Sequence, residues 1–408
     1  MSEFFETEIG LIPLDWKVST IGDIANVTKL AGFEYTQHFK YIEDGEIIAL
    51  RALNVRNGSL DLSNIKRISK NVSDKLPRSK LFTGDILFTY IGANIGQFAL
   101  VDENDKYHLA PNICRIRSNN DFDKYFLYCY FRTDFFQDDL ENFSGGSSQQ
   151  TLPMKNIRLI KVPHPPLKEQ KAIAEVLSSL DDKIDLLRRQ NKTLEELAQT
   201  LFRQWFIEEA KDEWEEKPLS EIANFLNGLA CQKFPPKNDV DKLPVLKIKD
   251  LKAGISNSSD WATTDVRPEY IIENGDVIFA WSASLIVKIW DGEKCILNQH
   301  LFKVTSDHYP KWFYYQWCKY HLDRFIAIAQ AHATTMGHIK RKDLDNAMCF
   351  VPSEDEMKVM DEQIIPLMQK LENNSKQIKT LENMRDTLLP KLMSGEVRIK
   401  LDGEKDEN

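Results

Sequence analysis

The chain has 408 residues, of which 42% are hydrophobic and 28% charged, with a formal net charge of −9; that length holds two or three cores and excludes a disordered polymer. No apolar run reaches about 18 residues and no secretory leader pattern is present, which excludes a helical membrane protein and predicts a soluble, cytoplasmic one. Its cysteines, Cys114, Cys129, Cys231, Cys295, Cys318 and Cys349, include no CxxC pair, so neither a disulfide framework nor a zinc site is expected.

In chain order, residues 1–164 read as a first mixed domain. DWKVSTIGDIAN (15–26) opens it. Residues 40–80 carry nine basic against five acidic side chains, a solvated face or a phosphate track. The Gly-Asp turn of TGDILFTY (83–90) announces a buried strand. The aromatic run at 125–131 suits an amphipathic helix packed into a core better than a base-stacking platform. Residues 165–210 read as one long helix. Positions 173, 177, 180, 184, 187, 191, 194, 198, 201 and 205 are Ile, Leu, Leu, Ile, Leu, Asn, Leu, Ala, Leu and Trp, the 4-3 spacing of a coiled-coil seam.

A second mixed domain follows at 211–351, then a second long helix at 352–400 and an acidic tail at 401–408. The second helix repeats the 4-3 spacing from Met360 to Leu392. Ser353 and Glu356 form a capping box at its start, and Pro366 is expected to kink or restart it.

The whole second half repeats the first. EWEEKPLSEIAN (213–224) matches DWKVSTIGDIAN, with Trp214 opposite Trp16. NGDVIFAW (274–281) matches TGDILFTY, LNQHLFKVTS (297–306) matches LAPNICRIRS (109–118), and PKWFYYQWCK (310–319) matches DKYFLYCYFR (123–132). PSEDEM (352–357) lies opposite PPLKEQ (165–170), and TLENMRDTLLPKLM (380–393) opposite TLEELAQTLFRQWF (193–206). The expected fold is therefore α+β: two similar mixed domains on two long helices that pair as an antiparallel coiled coil with pseudo-twofold symmetry. If the helices pair about their common middle, facing positions sum to 565. Asn191 and Asn374 then either meet and set the register or face solvent at a local irregularity.

Charge counted by block supports a patch rather than a net effect. Lys plus Arg against Asp plus Glu is 19 to 21 over 1–165 and 17 to 17 over 214–351, so the acid sits mainly on the helices and tail. Catalytic signatures are missing: there is no GxGxxG, P-loop, GxSxG or HExxH. His332 and His338, six apart, suit no common metal geometry. The chain reads as a binder. A helical seam of 33 residues at a rise of ~1.5 Å spans roughly 50 Å, or about 15 base pairs of duplex at ~3.4 Å each, and two unlike copies predict a split, asymmetric recognition site.

IGLIPLDWKVSTIGDIA (9–25), GDILF and GDVIF, NQHLFKV (298–304), PPLKEQKAIAEVLSSLDDKIDLL (165–187), TLEELAQTLFRQWF and TLENMRDTLLPKLMSGEVRI (380–399), in this order and duplicated, resemble the specificity subunits of type I restriction–modification systems. The resemblance covers essentially the whole chain, departing mainly at SEDEMKVMDEQIIP (353–366). It implies two target-recognition domains, each reading half of a bipartite site in double-stranded DNA, on helices that present equivalent docking surfaces to two methyltransferase subunits. Restriction subunits are further expected partners, no membrane is involved, and no cofactor is expected on this chain, since S-adenosylmethionine, Mg and ATP belong to the partner subunits.

For DNA contacts the expected residues are the loop at 144–151, with Ser147, Ser148, Gln149 and Gln150, and its counterpart at 332–342, with Thr334, Thr335, His338, Lys340 and Arg341. Hydroxyl and amide side chains on such loops reach base edges while cations hold phosphate. Arg51, Asn54, Arg56 and Tyr90 follow in the first domain, with Asn94 in the Gly92–Gly96 turn; Lys247, Asp250, Lys252 and Trp281 are the repeat equivalents in the second. Tyr90 and Trp281 are equally plausible as core aromatics. Rival readings are a specificity subunit serving a methyltransferase alone, a coiled-coil scaffold that never touches DNA, and a nuclease or methyltransferase in its own right.

Overall fold

A computed structural model describes residues 3–56, 58–144, 151–331 and 337–400. The chain forms two compact units, Met1–Ile184 with Leu381–Asn408, and Asp185–Thr380. Both long helices, Leu167–Arg203 and Glu354–Met393, run through both units.

In the first unit the central sheet is antiparallel, in the order Phe98–Leu100, Ile86–Thr89, Ile113–Ser118 and Ala25–Lys29. The second unit builds the same sheet from Ile286–Ile289, Val277–Ala280, Leu301–Thr305 and Asn224–Asn227. The register repeats as well. Cys114 pairs with Phe88 and Lys29 in one, Phe302 with Phe279 and Asn227 in the other. Each Gly-Asp turn places its glycine in the left-handed region, Gly84 at φ +90° and Gly275 at φ +93°, which glycine adopts at the least steric cost. The following aspartate takes a cation from the neighbouring strand, Arg117 on Asp85 at 2.6 and 2.7 Å and Lys303 on Asp276 at 2.8 Å.

The aromatic runs are helices, Lys124–Tyr130 and Lys311–Tyr320, whose Phe126, Leu127, Tyr130, Trp312, Phe313 and Trp317 are buried. They join the sheet to the long helices as core, and different polar groups fasten each. In the first unit Tyr125 and Arg132 bind Asp181 at 2.7 and 2.6 Å, and Arg385 of the second helix binds it at 3.0 Å. Burial works to raise the Asp181 pKa, but the Arg132 charge and these hydrogen bonds together hold it below the usual range. In the second unit Trp312 donates to Asp361 at 2.6 Å.

One device is shared. Trp16 donates to Glu169 at 3.0 Å, and its repeat partner Trp214 donates to Glu356 at 3.0 Å. Both carboxylates stand in the first turn of a long helix, and in each unit a cation beyond the end of the other helix closes on them: Arg398 on Glu169 at 2.8 Å, Lys211 on Glu356. The Ser353–Glu356 capping box forms, with Ser353 N donating to Glu356 at 3.0 Å.

Every seam position of both helices is buried or half-buried, as the 4-3 spacing requires. Pro366 is exposed, and the helix continues through it. The asparagines do not bond each other. The Asn191 amide donates to Ser375 at 3.1 Å and Leu371 O at 3.5 Å, and the buried Asn374 donates to Gln190 at 3.4 Å. Each amide thus finds the neighbour of its counterpart, and the Asn191 carbonyl oxygen is buried without a partner.

Candidate nucleic-acid interface

Three positions that the two sheets share converge at one sheet end. The strand Ala25–Lys29 finishes at Lys29, and the equivalent strand finishes at Asn227. The strand after the Gly-Asp turn runs out at Tyr90 in one unit and Trp281 in the other; their amides donate to Asn112 O at 3.2 Å and His300 O at 3.3 Å. The frame is the same, and the side chains at all three positions differ.

In the first unit Lys29 is exposed with its ammonium 5.5 Å from the Tyr90 ring centroid. Tyr90 is 9% exposed, and burial pushes its phenol up, so it serves as a wall to the cation and is largely a core residue. Asn112 beside it is exposed and holds φ +74°, a left-handed conformation that asparagine tolerates better than most side chains. In the second unit Trp281 is half-buried, stacks on Phe302 at 5.6 Å and donates its indole N–H to Asn227 at 3.0 Å. His300 lies 6.1 Å from the Trp281 ring, with Nδ1 at 3.1 Å from Ser282 Oγ and Nε2 at 3.4 Å from the Gln299 amide nitrogen. His338 meets Trp281 edge-on at 6.2 Å.

The segments that follow the two loops return to this same sheet end. Leu152 N donates to Tyr90 O at 2.8 Å and Ile339 N to Trp281 O at 3.1 Å. Ser147, Ser148, Gln149, Gln150, Thr334 and Thr335 lie outside the described residues. Lys340 and Arg341 are exposed just beyond the return, although the Lys340 amide is engaged by Asp343 at 2.7 Å. Asn94 is half-buried in the turn that follows Tyr90.

Parallel pairing brings a second stretch to the same end: Leu50 opposite Leu109, and Leu246 opposite Leu297. Arg51 and Lys247 follow directly. Arg51 donates to Asn64 at 2.8 and 3.0 Å, and Lys247 pairs with Asp260. Arg56 and Lys252 are exposed.

Two expected contacts are corrected here. Asn54 is 1% exposed and spends its amide on Asp61 O, Asn64 O and the Arg51 N–H, at 2.8, 2.9 and 3.1 Å. Asp250, 2% exposed, accepts from Lys247 N at 3.1 Å and Ser259 Oγ at 2.6 Å. Both are third residues of a short helical turn whose carboxyl or amide oxygen caps the turn's own start; they hold Arg51 and Lys247 in place and are closed to a base. Lys29, Asn112, Asn227, Gln299 and His300 also stand at this sheet end, and sequence reasoning did not single them out. Their signal was available in the repeat itself: aligned positions where the apolar frame is kept and the exposed polar residue changes.

All six cysteines are buried thiols. Among the described residues no group of His, Cys, Asp and Glu is placed to hold a metal, and no helix is long and apolar enough to cross a membrane. The arrangement supplies amide, imidazole, ammonium and guanidinium groups beside aromatic rings, the donor and acceptor set that reads base edges and holds phosphate.

Known proteins match this architecture along its length. The type I restriction modification DNA specificity domain matches twice, at residues 13–196 and 211–383. The MjaIX specificity subunit of Methanocaldococcus jannaschii is 28% identical, with 98% of this chain and 97% of that one covered. The EcoKI specificity subunit of Escherichia coli K12 is 21% identical over 95% of this chain and 90% of its own. In fold, the crystal structure of a type I restriction–modification S subunit from M. genitalium superposes with a TM-score of 0.57 at 16% identity, covering 93% of this chain and 96% of that one. The chain belongs to the type I restriction–modification DNA specificity family. It is a DNA-recognition subunit of a restriction–modification complex, and the catalysis belongs to other subunits.

Proposed function

We propose that each unit reads one half of a bipartite, asymmetric DNA site, and that the two long helices set the spacing between the halves. The observation that carries this is the sheet end described above. One backbone frame, repeated residue for residue, bears Lys29, Tyr90 and Asn112 in one copy and Asn227, Trp281 and His300 in the other, which suits two unlike half-sites. The near-neutral charge of both globular blocks, with basic residues gathered on their loops, is consistent with phosphate contacts that position without repelling the duplex.

The helices serve as the platform for two methyltransferase subunits, one per repeat, with restriction subunits joining that core. Leu186, Leu197, Val359, Ile365 and Met384 are exposed on them, and exposed apolar side chains on otherwise charged helices suit a partner surface. The test is co-expression with its cognate methyltransferase subunit, followed by mapping of adenine methylation on plasmid DNA. The expected product is modification of one motif of two defined blocks around a fixed undefined spacer. Assembly of the complex with modification at no defined sequence would favour the scaffold reading instead.

A further inference from the structure

We infer that the sheet ends themselves, and not only the loops beside them, select bases: Lys29 and Asn112 in the first unit, and Asn227, Gln299 and His300 in the second, are specificity-determining residues. This rests on the DNA-reading function proposed above and assigns it to particular side chains.

Four observations converge. First, Lys29 and Asn227, and likewise Asn112 and His300, occupy equivalent positions in the two copies by sheet register and backbone hydrogen bonding, so the difference in side chains is a substitution on a fixed scaffold; Gln299 stands where the first copy has Pro111. Second, Lys29, Asn112 and Asn227 are exposed and Gln299 and His300 half-buried, while the aromatic between them is anchored. An accessible polar group on a rigid wall is what precise placement at a base edge needs. Third, the backbone is held in an unusual conformation here in both copies. Of the three non-glycine residues with positive φ among those described, Asn112 is one and Ala283, two residues past Trp281 at φ +58°, is another. Ala283 is fixed there by its amide donating to Gly337 O at 2.8 Å, and conformations that cost free energy persist where the surroundings over-determine them, often at functional sites. Fourth, the second unit orders its polar groups as a chain. When His300 Nε2 accepts from the Gln299 amide, Nδ1–H donates to Ser282 Oγ; His300 N in turn donates to the buried Asn298 side chain at 3.3 Å.

The chemistry follows from side-chain type. Asn and Gln amides pair with the N6 and N7 edge of adenine, while a carboxylate in the same place accepts from cytosine N4. Lys29 beside Tyr90 suits a guanine O6 and N7 edge.

The experiment uses the complex of the full chain with its methyltransferase, a random duplex pool, and sequencing of the bound fraction. Lys29→Ala and Asn112→Ala should alter preference only in the block read by the first unit. Asn227→Ala and His300→Ala should alter only the other block. Gln299→Glu should move one position of that block from adenine towards cytosine, with a change in preference of about tenfold. A wild-type complex that selects two blocks while all five variants select the same two blocks overturns this assignment and leaves the proposed function standing. A uniform loss of binding to every sequence, with preferences unchanged, overturns it too, because it would mark these residues as structural. A wild-type complex that selects no sequence overturns the proposed function and this inference with it.

Discussion

Replacing Glu169 by glutamine is expected to loosen the first unit far more than the same change at Glu356 loosens the second, although the two positions are repeat equivalents. The Glu169 side chain is 3% exposed, receives the Trp16 indole N–H, and takes Arg398 through two nitrogens. Glutamine keeps an acceptor for Trp16 but removes the charge. Hydrogen bonds to charged groups contribute about 1.5–3 kcal/mol against roughly 1 for neutral ones, so weakening the Arg398 pair costs about 2–3 kcal/mol. The full penalty of a broken buried pair is not reached, because Arg398 is 31% exposed and keeps Asp15 at 2.8 and 3.0 Å. At Glu356 glutamine preserves the capping box and loses only the pair with Lys211, which is 52% exposed; such a pair contributes at most about 1 kcal/mol. The difference of about 2 kcal/mol corresponds to a factor of roughly 30 in the local opening equilibrium. Hydrogen exchange followed by mass spectrometry reads each unit separately. Protection in the first turns of the helix beginning at Leu167 should fall much more in Glu169→Gln than protection in the first turns of the helix beginning at Glu354 falls in Glu356→Gln. Equal losses, or a larger loss at Glu356, would refute the reasoning from burial.

Further outcomes are expected from the same contacts. The bonds from Lys211 and the Ser353 hydroxyl hold the Glu356 pKa down at about 2 against an ordinary 4.5. Its stabilising contribution is therefore complete above the ordinary value and is lost as pH falls from about 4.5 towards 2; Lys211→Ala should shrink that acid-induced loss of protection. At Gly228 an added Cβ would meet the backbone oxygens of Asn298 and Leu297. Gly228→Ala should therefore cost about 1–3 kcal/mol and displace the Asn298–His300 turn, weakening selection in one block of the DNA site only. Asn191→Leu removes a buried, unpartnered carbonyl oxygen and should leave thermal stability equal or higher. It should also broaden the helix pairing, seen as additional species in sedimentation, as expected when a polar register residue leaves an apolar seam.

Much of the architecture was legible because it is periodic. The 4-3 seams depend on side chains that repeat every few residues, and a duplicated chain shows each weak signal twice, so Trp16 and Trp214, or Gly84 and Gly275, support one another across the repeat. The proposed recognition surface has no such period. Lys29, Tyr90 and Asn112 are brought together by strand pairing across more than 80 positions, and single exposed polar residues at strand ends carry no local pattern. Asn54 and Asp250 show the converse. An amide or carboxylate three residues after a basic side chain looks like a contact set in one dimension, and only the turn it caps reveals that its oxygen faces its own backbone. Asn191 and Asn374 fall between these cases: the spacing put them opposite each other, but side-chain direction on the helices sends each amide to the residue one position away from its counterpart.

The central claim, that two unlike readers act on one duplex, is tested most directly by selecting duplexes from a random pool with the full chain bound to its methyltransferase and sequencing what is retained. Two short defined blocks of different sequence, separated by an undefined spacer of constant length, are the predicted result. One continuous block, two identical blocks, or a spacer of variable length would contradict the account.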